Sequence, residues 1–375
     1  MVRVSENYHD EVRPTMDVSI EGEKVVVYDA TGPHARQNLL FDQDVAKDKW
    51  YRYSGVYLYE ECLKAGIQLI TPDIYFALSK KPKAICVRDR CDIDMRVPLD
   101  LRRAGVKLAL LMNSEQPLQA CRFFWDLRRC TSYFDHSFIM KGVKDWVSPK
   151  SRFIPWFSPH AYHSRIREVP SDFRKKKFLT LMNSNQRIHW LRRLYVSMMN
   201  FIKPLPTFTN REQYKVRLEA IQYFSKYPDF DLYGIGWDKP VRYTHKYDEA
   251  IRRSYRGAPD DKFEVIKRYK FSLCFEAFLG GCVQEKIADC LYAGSVPVYW
   301  GAPDIAETIP DGCFIDFRKF GCDFARLDGY LRGMDEGTYD GYIKNINEFI
   351  SSPAAYAVSQ EKYVSDLIKL FESYF

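Results

Sequence analysis

The chain lacks the features of a disulfide-framed or membrane-spanning protein. None of its ten cysteines forms a C-x-x-C pair, and several lie in apolar, strand-like contexts, so we expect reduced, buried thiols in a cytosolic protein. The N-terminus shows no apolar segment of a secretory signal, and no apolar run is long enough to span a membrane. We therefore expect a cytoplasmic protein, and peripheral association with a membrane surface stays open.

Positive charge is in only slight excess. The 56 Lys and Arg against 49 Asp and Glu give a net charge of +7 over 375 residues, and the basic residues are scattered. This excess is too small for a nucleic-acid-binding protein, but it suits an anionic small ligand. With 46% hydrophobic and 28% charged residues, the chain is typical of a globular protein, and its length suits two domains.

Strand-like and helix-like segments alternate along most of the chain. Apolar runs at 23–31 and 83–89 predict strands, and the segments 55–72 and 99–113 each predict a helix, a glycine stop and a strand. A further strand is predicted within 132–140. This alternation predicts βαβ units and mostly parallel sheets with helices on both faces.

The stretch 145–176 interrupts this pattern: it contains four prolines, at 149, 155, 159 and 170, and has no sustained periodicity. We predict an interdomain connection there. The pattern then resumes with strands within 176–185, 229–237, 268–276 and 312–320 and a helix over 190–202. The predicted organisation is a tail at 1–22, a first αβ domain at 23–150, a linker at 151–175, a second αβ domain at 176–345 and a C-terminal helix at 346–375.

The last fifteen residues, 361–375, have the spacing of an amphipathic helix that packs against a core. Five apolar side chains share its face: Val364, Leu367, Leu370, Phe371 and Tyr374.

A strand-to-helix junction carries the most chemical information. The predicted strand ends at Glu276, a loop with Gly280 follows, and the next helix has Glu285 and Lys286 in its first turn. Glycines let a backbone approach a ligand, a helix N-terminus attracts phosphate, and a carboxylate accepts hydrogen bonds from a ribose diol. The junction predicts a nucleotide diphosphate site, although spacing alone favours the simpler interpretation that Glu285 and Lys286 are ordinary surface residues.

The same region, YKFSLCFEAFLGGCVQEKIADCLYAGSVPVYWGAPDIAETIPDGCFI, resembles the donor-binding core of the α-1,3/4-fucosyltransferases, glycosyltransferase family 10. There a strand ending Phe-Glu-Asn precedes a Thr-Glu-Lys helix start, an Ala-Gly and a Val-Pro-Val-Tyr-Trp-Gly strand. The resemblance is compact across roughly 255–320, extends to KKFLTLMNSNQRIHWLRRLY, and is weaker elsewhere. Ala277, Cys282 and Gln284 depart from the family pattern, and the lost amide and ring remove donor contacts.

The resemblance implies a GT-B fold, in which two Rossmann-like domains face each other across a cleft. The first would bind the acceptor and the second would bind GDP-fucose. It also implies that Glu285 holds the ribose and that Lys286 and Arg192 hold the diphosphate. Because Glu276 ends the strand that faces the donor loop, we expect it to organise the donor site and not to act as the base. Arg193 is the adjacent alternative to Arg192. Reaction with inversion needs no covalent intermediate, and we expect no cofactor and no essential metal.

The proton acceptor is expected on the first domain, at the carboxyl end of a strand. Glu115 in LALLMNSEQP fits this place, and the resembled family carries a glutamate in a comparable position. A turn glutamate without chemistry is the alternative. Asp135 is the second candidate, although a structural role is more usual there. The stretch 88–94, RDRCDID, contains a D-x-D pattern, but we expect it to be an exposed loop and no metal site.

The predicted function is transfer of L-fucose from GDP-fucose to a hydroxyl of a glycan that contains GlcNAc or galactose, such as a bacterial or viral surface polysaccharide. Two alternatives stay open. One is the same fold with a different nucleotide-sugar donor, and the other is a non-catalytic glycan-binding module. The joint presence of Glu115, Glu285 and Lys286 argues against the binding module.

Overall fold

The protein forms two α/β domains, each built on a parallel sheet, as the alternating pattern predicts. The computed structural model describes residues 24–32, 35–46, 53–113, 115, 119–155, 166–185, 190–202, 214–239, 245–276, 283–357 and 359–375. Each sheet has its own hydrophobic core, built from the apolar residues of its strands and of the helices that cover it. The prediction of two such domains is confirmed.

The first sheet has six parallel strands in the order β2-β1-β3-β4-β5-β6. Its strands are β1 Lys24–Ala30, β2 Ile67–Ile70, β3 Ala84–Asp89, β4 Lys107–Met112, β5 His136–Ile139 and β6 Arg152–Pro155. The helices between them are α1 Gln43–Ala46, α2 Tyr53–Lys64, α3 Pro72–Ala77, α4 Arg96–Arg103, α5 Cys121–Trp125 and α6 Leu127–Thr131. Strand β6 lies inside the predicted linker 151–175, so the first sheet extends into that stretch.

The second sheet has five parallel strands in the order β11-β10-β9-β7-β8. Its strands are β7 Lys177–Met182, β8 Phe230–Tyr233, β9 Tyr269–Phe275, β10 Val296–Trp300 and β11 Ile315–Asp316. Strand β11 is much shorter than the strand predicted within 312–320. It pairs with only Val298 and Tyr299 of β10, so Pro297 lies beyond that short ladder.

Helices cover the second sheet and continue to the C-terminus. They are α7 Trp190–Ile202, α8 Tyr214–Phe224, α9 Asp248–Ser254, α10 Lys262–Ile266, α11 Glu285–Ala293, α12 Phe324–Gly333, α13 Glu336–Ile350, α14 Pro353–Ala357 and α15 Gln360–Glu372. Helix α7 has the predicted bounds. Helix α11 ends at Gly294, whose φ of 68° is a left-handed conformation that glycine adopts without strain.

The last helix, α15, returns to the first domain. Its predicted apolar face packs into the core of the first sheet through Val364, Leu367 and Phe371. The C-terminal end of the chain therefore ties the two sheets together.

Further contacts cross between the domains. The Gln119 side chain donates to the Tyr214 hydroxyl at 3.3 Å, and Lys141 forms an ion pair with Asp304 at 2.8 Å. These contacts hold the carboxyl ends of the two sheets beside each other. Among the described helices, none combines the length and the hydropathy needed to cross a membrane.

Candidate active site

A cavity of about 320 Å³ opens at the carboxyl ends of the second sheet. It lies at the reversal of the strand order between β7 and β9, which is where open α/β sheets bind ligands. Its volume lies in the range of small-molecule sites. The second domain lines it with polar side chains that follow the strands or belong to the covering helices: Asn183, Ser184, Arg217, Lys262, Gln284, Glu285, Lys286 and Asp289.

One wall of the cavity depends on a glycine. Gly234 follows β8 with a φ of 136°, and a Cβ atom there would lie 1.9 Å from the carbonyl oxygen of Asn183. No residue with a side chain fits this close approach of the segments that follow β7 and β8. The cavity therefore has a wall of closely packed backbone.

Glu276 links the end of β9 to the start of α11. It is 1% exposed, and its Oε1 accepts a hydrogen bond from the backbone N–H of Gln284, the N-cap of α11, at 2.9 Å. Gly301 leaves room for this arrangement, because a Cβ at position 301 would lie 2.4 Å from Cγ of Glu276. The carboxylate thus fixes the helix start that carries Glu285 and Lys286.

Lys286 is held among three oxygen acceptors. Its ammonium donates to Oε1 of Gln284 at 2.6 Å, and it lies 3.4 Å from Glu285 and 3.6 Å from Glu276. Burial would lower the pKa of Lys286, but the carboxylates of Glu285 and Glu276 outweigh burial and leave the pKa above its ordinary value. Lys286 is therefore a fixed positive charge beside the N-terminus of α11.

Glu276 is buried beside the same lysine, and its pKa stays above its ordinary value. Burial raises the pKa of Glu276, while the ammonium of Lys286 and the N–H of Gln284 act to lower it. A buried carboxylate without such partners would be strongly disfavoured. Glu276 and Lys286 therefore depend on each other, and a change at either one disturbs the other.

The structure adds two cations that the sequence did not single out. Arg217 of α8 is 5% exposed, and its Nε and Nη2 donate to the carbonyl of Phe275 at 2.9 and 2.6 Å. Lys262, the first residue of α10, forms ion pairs with Asp289 and, at 3.9 Å, with Glu285. Together with Lys286, these residues place three cations around the cavity.

A sequence signal for Arg217 exists. It stands three residues after Tyr214 and four before Ile221, so it shares the apolar face of α8. A charged residue in such a position must have partners in the interior. The signal was missed because helix α8 was not predicted.

Glu115 of the first domain lines the same cavity. It follows β4, and its backbone N–H donates to Oδ1 of Asn113 at 2.7 Å, which closes a tight turn. The Glu115 side chain is exposed, and the cavity thus brings it together with Glu285 and Lys286. Three predicted residues from two separate segments of the chain meet at one place.

Other predicted residues lie elsewhere or outside the described part of the chain. Asp135 precedes β5 at the amino end of the sheet and pairs with Lys107, which begins β4, so it lies at the edge opposite the cavity. Arg192 belongs to α7, but its side chain and that of Arg193 lie outside what the structure describes. Gly280, Ala277 and Cys282 are likewise outside the described residues.

The expectation that 88–94 is an exposed loop is confirmed only in part, because residues 88 and 89 belong to β3 and residues 90–94 form an irregular, half-buried segment. Arg88 is 1% exposed, and its guanidinium forms ion pairs with Asp29 and, at 2.7 Å, with Asp92. Arg90 also pairs with Asp29, at 3.4 Å. A fully buried carboxylate such as Asp29 needs compensating cations, and Arg88 and Arg90 supply them.

Comparison with known proteins agrees with this architecture. Residues 205–362 match the family model described as glycosyltransferase family 10 (fucosyltransferase) C-term. The α-(1,3)-fucosyltransferase FucT of Helicobacter pylori is 41% identical over 75 residues, which are 19% of this chain and 16% of that protein. The GDP-fucose protein O-fucosyltransferase 3 of Bos taurus is 33% identical over 88 residues, 23% of this chain and 18% of that protein. The matched segments thus span less than a fifth of either relative.

The whole chain is similar in fold to Anabaena Alr3699/HepE, solved in complex with UDP-glucose. The TM-score is 0.55 at 10% sequence identity, over 94% of this chain and all of that chain, 100%. The prediction of a GT-B fold is confirmed. With the match over 205–362, much of the second domain of this chain is similar to glycosyltransferase family 10, the fucosyltransferases.

Proposed function

We propose that the protein transfers L-fucose from GDP-fucose, with inversion, to a hydroxyl of a glycan that contains GlcNAc or galactose. The observation that carries this proposal is one cavity that joins Glu115 of the first domain to Glu285 and Lys286 of the second. The family of the second domain supports fucose as the transferred sugar. A transfer reaction requires that residues for the acceptor and residues for the donor face each other across one cleft, which is the arrangement proposed here.

The donor would lie along the N-terminus of α11. Free backbone N–H groups and the positive end of the helix dipole attract a diphosphate, and Lys286 adds a full charge there. Arg217 supplies a second, buried cation at the end of β9. Glu285 would accept hydrogen bonds from the ribose hydroxyls, and Arg192 of α7 is proposed as a further phosphate contact.

Catalysis would combine a proton acceptor with leaving-group stabilisation. Glu115 would take the proton of the acceptor hydroxyl as that oxygen attacks the anomeric carbon, and the bond to GDP would break on the opposite face. General-base catalysis contributes roughly 10²–10⁴-fold. Cations already in position stabilise the charge that develops on the diphosphate. We propose that these cations suffice without an essential metal ion or cofactor.

A second acceptor class has support from one comparison. The matched Bos taurus relative is named as a protein O-fucosyltransferase, so its acceptor is a protein hydroxyl. Removal of a proton by Glu115 would serve a serine or threonine hydroxyl as well as a sugar hydroxyl. A screen of glycan and peptide acceptors with one donor separates the two classes.

The test of the donor site is calorimetric titration with GDP, UDP, GDP-fucose, GDP-mannose and UDP-glucose. We expect selective binding of GDP and GDP-fucose, and Lys286→Ala should weaken GDP by roughly 10- to 100-fold because a charged contact is lost. Lys319→Ala is the matched control, since Lys319 is exposed in the same domain and pairs loosely with Asp311 at 3.9 Å. A UDP-selective response would overturn fucose as the transferred sugar.

The test of the base uses Glu115→Gln. We expect GDP-fucose to bind with unchanged affinity while transfer to a hydroxyl acceptor falls at least about 100-fold. Binding without transfer in the wild-type protein, against a broad glycan and peptide screen, would favour the glycan-binding module instead. Loss of GDP binding in the variant would show that Glu115 belongs to the donor site.

A further inference from the structure

Lys262 occupies a fixed position beside the first turn of α11. It is the first residue of α10, whose start is capped by Asp261: this side chain accepts hydrogen bonds from Phe263 N at 2.8 Å and Glu264 N at 3.3 Å. Helices α10 and α11 pack against each other. The cap and this packing determine where the Lys262 side chain begins and hold it against α11.

The ammonium of Lys262 joins two carboxylates of α11. Glu285 and Asp289 are four residues apart, so they lie on one face of the helix, where like charges repel. Lys262 pairs with Asp289 and lies 3.9 Å from Oε1 of Glu285. The side chains of Lys262 and Asp289 are 13% and 12% exposed, whereas that of Glu285 is 33% exposed and lines the cavity. Asp289 is thus the more buried partner of Lys262, and Glu285 is the more accessible to a ligand.

Two lysines approach the same oxygen of Glu285. Oε1 lies 3.4 Å from the ammonium of Lys286 and 3.9 Å from that of Lys262. A diphosphate at the α11 N-terminus would compete for Lys286, since phosphate oxygens are strong acceptors for an ammonium. Lys262 is already paired with Asp289, so it would stay in place.

We propose that Lys262 is a positioning residue for the donor ribose: it keeps Glu285 aimed at the ribose hydroxyls when the diphosphate occupies Lys286. This inference rests on the proposed function, in which Glu285 accepts the ribose diol. Without Lys262, Glu285 would face Asp289 on its own helix and the negative diphosphate nearby. Repulsion from both would turn the carboxylate towards solvent and weaken recognition of the ribose.

The experiment compares GDP with 2′,3′-dideoxy-GDP by calorimetry on the full chain. Wild-type protein should bind GDP roughly 10- to 100-fold more tightly, because a carboxylate accepts hydrogen bonds from the diol. Lys262→Ala should remove most of this preference by weakening GDP alone, with 2′,3′-dideoxy-GDP unchanged. Lys262→Arg should keep the preference, since the charge stays between the two carboxylates.

Two further variants make the result specific. Lys267→Ala is the control, because Lys267 directly follows α10, is 52% exposed and pairs with Glu264. It should behave as wild type. Asp289→Asn should reduce the preference for GDP in part, because Lys262 loses its ion pair with Asp289. This variant replaces Lys262→Ala as the test if Lys262→Ala does not fold.

Each other outcome has a distinct meaning. Equal weakening of both nucleotides by Lys262→Ala, or no change, would overturn the positioning role while leaving the donor site intact. A wild-type protein that binds both nucleotides equally would overturn the ribose role of Glu285 and the inference with it. A wild-type protein that binds neither would overturn the proposed donor site itself.

Discussion

The two sheets share the start of their strand order but use their switch points differently. In the first sheet, Asp29 of β1 and Arg88 of β3 are register partners, and their buried ion pair fills the switch point. In the second sheet, the partners near the corresponding place are Leu181 and Leu273, and a cavity lies beyond them. The same topology thus has a buried ion pair at the switch point of one domain and a cavity at that of the other.

The difference lies in which elements supply the charges. In the first domain a strand residue, Arg88, provides the cation, so the charge lies within the sheet and is consumed by Asp29 and Asp92. In the second domain the cations come from helices α8, α10 and α11 and stand around the rim. Charges on surrounding helices leave the carboxyl ends of the strands accessible, which a nucleotide requires.

The largest expected effect comes from breaking the buried ion pair between Asp29 and Arg88 at the switch point of the first sheet. Arg88→Met leaves Asp29, which is 0% exposed, with much of its compensating charge removed, and should lower the free energy of unfolding by about 3–5 kcal/mol. Denaturant unfolding followed by circular dichroism measures the change. The double variant Asp29→Leu with Arg88→Met should recover most of the loss, because both buried charges are removed.

The matched control for Arg88 is Arg103→Met. Arg103 is 77% exposed and pairs with Asp100 at 2.6 Å, so its change should cost at most about 0.5 kcal/mol. GDP binding should survive in both variants wherever the chain stays folded, because the second switch point is untouched. A loss at Arg88 no larger than that at Arg103 would contradict the structural role of the buried pair.

A smaller effect should arise at Asp89, the last residue of β3. Burial raises its pKa to about 6, the Tyr28 hydroxyl that donates to it at 3.0 Å acts to lower the pKa, and the charges of Asp29 and Glu115 add to the rise. An aspartate in an unfolded chain has a pKa near 3.9, so the folded state holds this proton more tightly. Stability is therefore lost as pH rises from about 4 to about 6.

Asp89→Asn removes that pH-dependent loss and keeps an oxygen that Tyr28 can reach. The variant should be more stable than wild type by about 2–3 kcal/mol at pH 7.5, and the gain should shrink towards zero near pH 4. Denaturant unfolding at several pH values measures it, with Asp100→Asn on the exposed face of α4 as the control. A gain that does not vary with pH would contradict the assignment of the raised pKa to Asp89.

The smallest expected effect concerns Gly301, which packs against Glu276 beside the cavity of the second domain. Gly301→Ala would place a Cβ 2.4 Å from both Cγ of Glu276 and the hydroxyl of Tyr299, so both must shift. We expect a loss of about 1–3 kcal/mol and weaker GDP binding, because Glu276 caps the start of α11. Calorimetry and unfolding measure the two effects.

Gly329→Ala in α12 is the control for this substitution. A Cβ at Gly329 would meet nothing within 4 Å, and alanine should stabilise the helix by up to about 1 kcal/mol. Unchanged GDP binding in a destabilised Gly301→Ala protein would show that the cap does not support the nucleotide site.

Local patterns predicted the regular elements but missed those formed at a distance. Strands such as β1, β4 and β9 carry continuous apolar runs, and α7 has clear helical periodicity, so neighbouring residues suffice to predict them. Strand β6 lacks such a run: two of its four residues are exposed and it sits among prolines. It forms a strand because β5 offers a free edge, which is information from another part of the chain.

The same division applies to the candidate site. Glu276, Glu285 and Lys286 are close in sequence, so a motif reveals them together. Arg217 and Lys262 reach the cavity only because α8 and α10 fold against the end of β9 and the first turn of α11. The burial of Arg88 was not predicted for the same reason, since it depends on Asp29, about sixty residues earlier.

The sequence by itself determined the alternation of strands and helices, the stop of α11 at Gly294 and the pairing of Glu285 with Lys286 at a helix start. These depend on spacing and on residue conformational preference, which act between neighbours. Only the tertiary structure decided which switch point holds a buried ion pair, which cations surround the cavity, and that Glu115 lines the same cavity as Glu285 and Lys286. Each of these follows from contacts between distant segments, whose energies depend on burial and on distances that no local pattern contains.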